Sequence, residues 1–102
     1  MADIYNVIVR NDLNKLETDE LKEIVMYAEE ATQGLALALK SVGQLAFHSL
    51  NSEDFTDQQA RDHLSGLSDL LMYLPRIMCG IQQNLLTAQF EISRREGVNH
   101  DQ

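Results

Sequence analysis

The chain has 102 residues, a formal net charge of −8, 44% hydrophobic residues, 6% aromatic residues and no Trp. That length suits one domain, spanning 1–102, and so strong an acidic balance disfavours direct binding to DNA or RNA, whose phosphates select basic surfaces. No membrane-length apolar run or leader is visible and the single Cys79 has no internal partner for a disulfide, so the expectation is an intracellular, cytoplasmic protein.

The first element is a short arm over residues 1–16. Ile4-Tyr5-Asn6-Val7-Ile8-Val9 is rich in β-favouring side chains and too short for a convincing helix. Two readings stand side by side: a short strand that needs a partner strand, for which a second chain is one source, or an extended arm docked loosely across the helices.

Thr18 then offers an N-cap, with Asp19 and Glu20 complementing the helix dipole in the first turn. No proline interrupts the chain before about Leu50. At about 100° per residue, Leu21, Ile24, Val25, Ala28, Leu35, Leu39, Val42, Ala46 and Leu50 share one face. Tyr27, Ala31, Ala38 and Leu45 widen it to one side, and Gly34 and Ser41 at the same edge leave room for another backbone. The apolar arc is too wide for a single neighbouring helix.

Asn51–Phe55 reads as a loop. Thr56 and Gln59 spell a capping box, with Phe55 and Ala60 placed as a hydrophobic staple. The second long helix carries Leu64, Leu67, Leu70, Leu71 and Leu74 on one face. Pro75 predicts a kink there. Counting straight through it keeps Ile77, Met78, Ile81, Leu85, Ala88 and Ile92 on the same face, which favours one kinked helix over two. The polar tail, 97–102, is expected to be disordered.

The predicted fold is therefore all-α: a long antiparallel helical hairpin, its second arm kinked at Pro75, with a short N-terminal extended arm. Two arms bury one interface only, so dimerisation into a four-helix bundle is expected. Ile4, Val7, Tyr27, Ala31, Gly34, Ala38 and Leu45 are the candidate dimer contacts.

Catalytic and metal chemistry find no purchase. His48, His63 and His100 lack the i, i+3 or i, i+4 spacing of helical metal ligands, and Cys79 has neither a CxxC nor a Cys-His pattern. Glu29 and Glu30, adjacent in a helix, diverge and cannot share a proton. No phosphate loop or nucleophile elbow appears. The expectation is a non-enzyme without metal or cofactor.

Two features suit recognition of another protein. Glu17–Glu30 holds six acidic residues, with Asp19, Glu23 and Glu30 the candidates for steering a basic partner, against only Lys22. A solvated helix start explains the same residues more blandly. Met72, Cys79, Leu86 and Phe90 form a second stripe on the far side of the second helix. An exposed stripe of this kind marks a partner groove, the dimer seam or a bed for the N-terminal arm.

Several strings resemble the small phage derepression proteins of enteric bacteria, the family that includes the epsilon protein of satellite phages. They are Thr18-Asp19-Glu20-Leu21, Glu29-Glu30-Ala31, Asn51-Ser52-Glu53-Asp54-Phe55, Ala60-Arg61-Asp62 and Leu74-Pro75-Arg76, spread over roughly residues 10–95. The resemblance implies an antirepressor that binds a prophage or helper-phage repressor, a DNA-binding protein, and takes it off its operators. It supplies no residue-level site. Two other classes fit the residues: an anti-CRISPR or other DNA mimic acting through its acidic charge, and a helical assembly subunit with no regulatory role.

Overall fold

Two long helices dominate the computed structural model, which describes residues 3–100, with the side chains of 98–100 outside the description. Helix α1 (Ile4–Ile8) is followed by a 3-10 turn (Leu13–Lys15), then α2 (Thr18–Leu50) and α3 (Asp57–His100). The chain is all-α, with no strand among the described residues, and α2 and α3 pack against each other as an antiparallel hairpin.

The arm differs from both readings of it: residues 4–8 are neither strand nor extended chain. Asp3 accepts a hydrogen bond from the Tyr5 N–H (3.0 Å) while the Asn6 side chain accepts one from the Asp3 N–H (3.0 Å), a reciprocal cap that starts a helix despite the β-branched composition. Five residues of helix are not stable alone, and α3 supplies the rest. Asn84 of α3 donates to the Ile8 carbonyl (3.0 Å) and accepts from the Arg10 N–H (2.9 Å), clamping the extended backbone that follows α1. Residues 1 and 2 of the arm lie outside the described residues.

Thr18 does not cap α2. Glu17 occupies the N-cap without a side-chain bond, and the Thr18 hydroxyl instead accepts from the Arg95 guanidinium of α3 (3.1 Å). The far end of α2 closes on Asn51, whose side-chain amide donates to the Phe47 carbonyl (2.8 Å). The capping box at α3 forms as its sequence spells it: Gln59 N–H donates to Thr56 Oγ1 (3.1 Å) and Thr56 N–H to Gln59 Oε1 (3.0 Å). Helix α3 runs unbroken through Pro75. Gly97–His100, expected in a disordered tail, continue α3 instead. Residues 101 and 102 of that tail lie outside the described residues.

The core sits at one end. Leu13, Leu21, Ala28, Leu85 and Ala88 are buried, and Leu16, Ile24, Val25 and Ile92 pack around them. All belong to the 3-10 turn and its C-cap Leu16, the first turns of α2 or the last turns of α3, the end termed proximal below. Leu13 acts as a plug where two helices alone would leave a seam open. From Glu29 to Cys79 no residue is buried.

The shape follows from this. The molecule measures 69 × 29 × 15 Å, with a radius of gyration of 19.3 Å, where a compact chain of this length has about 13 Å. It exposes 7854 Å², against about 5,800 Å² for a typical folded monomer of this mass.

Candidate protein-binding surfaces

The proximal end is tied by one buried carboxylate. Glu91 of α3 accepts from Arg94 (Nε to Oε2, 3.1 Å, with a second, closer contact from Nη2) and from Arg95 Nε (3.0 Å). Its side chain is 7% exposed. Hydrogen bonds from Arg94 and then Arg95 outweigh the cost of burying the charge and hold its pKa at about 2. Arg95 spends its remaining donors on the Thr18 hydroxyl and the Asn14 carbonyl (3.2 Å), which fixes the 3-10 turn and the start of α2 onto α3. The i,i+3 and i,i+4 spacing of Glu91, Arg94 and Arg95 is a local signal, but nothing local signals the reach of Arg95 to Thr18 and Asn14, up to 81 residues away.

A second tie holds α1. Arg76 pairs with Asp3 (3.0 Å) and its guanidinium lies 4.5 Å from the centre of the Tyr5 ring, lowering the Asp3 pKa. Arg10 pairs with Asp12 in the same way (2.8 Å). Four of the eight basic residues, Arg10, Arg76, Arg94 and Arg95, are thus engaged with carboxylates of this chain.

The acidic candidates are not neutralised in this manner. Asp19, Glu23 and Glu30 are exposed on α2, and none enters an ion pair among the described residues. Their spacing places them on one line of the helix, and Met26 and Leu37, 45% and 66% exposed, fall on the same line. Three acidic and two apolar side chains share that line along about 27 Å of helix.

Met72, Cys79, Leu86 and Phe90 all face solvent, Met72 and Phe90 more than 60% exposed. The stripe is not the bed of α1, which docks one side of it against Gly80 and Asn84. Cys79 and Leu86 share a shallow groove with Tyr5 and Arg76, so α1 forms a wall beside the stripe and leaves it open.

Of the candidate dimer contacts, Ile4 and Ala31 are half-buried within the chain, while Val7, Tyr27, Gly34, Ala38 and Leu45 are exposed. At the distal end, where α2 and α3 meet the loop, Val42, Leu45, Leu50, Phe55, Leu64 and Leu67 line an apolar groove of about 660 Å³. Phe55, expected to staple the start of α3, stacks on His63 at 5.8 Å inside this groove. The sequence pattern showed the wide apolar arc but not that the distal half of the hairpin holds most of it.

Among the described residues, no group of three or more His, Cys, Asp or Glu is placed to hold a metal ion, and no helix is long and apolar enough to cross a membrane. No protein-family model, curated protein or solved structure matches the chain.

Proposed function

We propose that this protein acts by binding another protein, and that the partner is a DNA-binding transcriptional repressor which it removes from its operators. The observation that carries the reading is the unpaired line of Asp19, Glu23 and Glu30, with Met26 set between Glu23 and Glu30 and Leu37 beyond them. A repressor's DNA-contacting face is basic, so the acidic side chains of this line have a complement there. The resemblance to the phage derepression proteins supports the same partner. Such an antirepressor works by occlusion and needs no catalytic group.

The test has two stages. Tagged protein is used to capture partners from a lysogenic host, and any captured repressor is then assayed for operator binding by mobility shift. The reading expects recovery of a repressor and release of operator DNA on adding the protein. A triple change, Asp19→Asn, Glu23→Gln and Glu30→Gln, is expected to weaken release by an order of magnitude or more. Recovery of a nuclease effector in place of a repressor, or a repressor that stays on its operator at saturating protein, overturns it.

The acidic line also suits a DNA mimic, the second reading. That class depends on charge alone, so its affinity falls steeply with salt. Binding that survives high salt but is lost on Leu37→Asp or Met26→Asp favours the antirepressor.

A further inference from the structure

The acidic line occupies mainly the proximal part of α2 and leaves the distal half of the hairpin without a role. No residue is buried between Glu29 and Cys79, yet this stretch carries Leu45, Leu50, Leu64 and Leu71, each more than 60% exposed. We propose that the line of α2 through Gly34, Ala38 and Ser41 is a self-association surface, on which two copies pack antiparallel so that the distal part of each α2 lies along the proximal part of the other. This does not rest on the repressor reading.

Charge selects a second copy as the occupant. Two chains of net charge −8 repel each other wherever their charges meet. Within 31–50 and 63–75, however, the only charged residues are Lys40 and Asp69, which cancel. The whole net charge lies outside these two stretches. A basic partner gains no electrostatic attraction there, whereas a second copy meets no repulsion.

Area gives the same answer. The chain exposes about 2,000 Å² more than a compact monomer of its mass. Stable homodimer interfaces bury roughly 2,000–5,000 Å² over both partners. An antiparallel pair, in which each copy's distal α2 is covered by the other's proximal α2, therefore brings each chain toward the exposure of an ordinary folded protein.

The seam itself is visible in the spacing. Tyr27, Ala31, Gly34, Ala38, Ser41 and Leu45 recur in alternating steps of four and three, the repeat that keeps one line of a helix facing a neighbour. The middle of the line is small. A Cβ built on Gly34 would meet nothing within 4 Å, so the chain's own fold does not call for glycine there. A facing backbone would. In an antiparallel pair centred on this line, Gly34 of one copy meets Ala38 of the other, and each contact occurs twice.

Sedimentation equilibrium of the full chain across the micromolar range tests the proposal, with a species of twice the 11.6 kDa chain mass expected. Ala38→Glu sets like charges against each other in the seam and is expected to weaken association by roughly tenfold or more. Ala38 is exposed in the single chain and Glu is a good helix former, so the substitution leaves the protomer's fold unburdened. With Cys79→Ser as background, Ala38→Cys is expected to give a disulfide-linked dimer on mild oxidation. Lys22→Cys, about 21 Å along the helix from the seam centre, is not. A wild-type chain that stays at its monomer mass, an undiminished dimer in Ala38→Glu, or cross-linking at Lys22→Cys and not at Ala38→Cys overturns it.

Discussion

Ile8 and Gly80 stand so close that position 80 has no room for a side chain: a Cβ built there would lie 2.9 Å from Ile8 Cγ2 and 3.0 Å from Ile8 Cβ. This contact seats α1 on α3 and brings the following backbone within reach of Asn84. Gly80→Ala is expected to displace Ile8 and destabilise the protein by about 1–3 kcal/mol, as overpacking does. Gly43→Ala, where a Cβ meets nothing within 4 Å, has the opposite sign. It is expected to stabilise by roughly 0.5–1 kcal/mol, through helix propensity alone. Paired urea titrations of the two variants check both signs.

Asn84 makes two bonds that no other side chain of its size reproduces, accepting from the Arg10 N–H and donating to the Ile8 carbonyl. Asn84→Ala is expected to cost about 1–3 kcal/mol. Amide exchange locates the effect: protection is lost first at Arg10 and across α1, while the middle of α3 is unchanged.

Glu91 couples stability to pH. Its folded pKa of about 2 lies below its ordinary value of 4.5, so the carboxylate stabilises the fold above the ordinary value. As pH falls from 4.5 toward 2, that contribution is lost. The urea midpoint of the wild type is therefore expected to drop across this window, and Glu91→Gln, less stable at neutral pH, to show a shallower drop. Equal slopes in the two proteins contradict the assignment.

The sequence made some elements plain and hid others, and the division has a physical basis. Thr56 and Gln59 were readable because a capping box is a contact between residues three apart. The continuity of α3 through Pro75 was readable because the apolar period resumes in phase after it. The arm was misread because Ile4, Val7, Ile8 and Val9 have β-favouring side chains, whereas the outcome depended on Asp3, Asn6 and a glycine more than seventy residues away. Thr18 looked like a cap for the same reason: its competitor for the hydroxyl, Arg95, is invisible in local sequence. Of the candidate surfaces, exposure of Met72, Leu86 and Phe90 followed from helical periodicity alone. The concentration of uncovered surface in the distal half did not, since it depends on Leu13 and Leu16 reaching back to seal the proximal half.

Hydrogen exchange measured segment by segment at low and high protein concentration tests most directly whether the distal half of the hairpin needs another polypeptide to cover it. The proximal helices, with Leu21, Leu85 and Ala88 in their core, are expected to be protected to a similar degree at both concentrations. Residues 31–50 and 57–75 are expected to exchange quickly when dilute and to gain protection as concentration rises. Strong, concentration-independent protection of those two stretches in a chain of monomer mass would contradict the account.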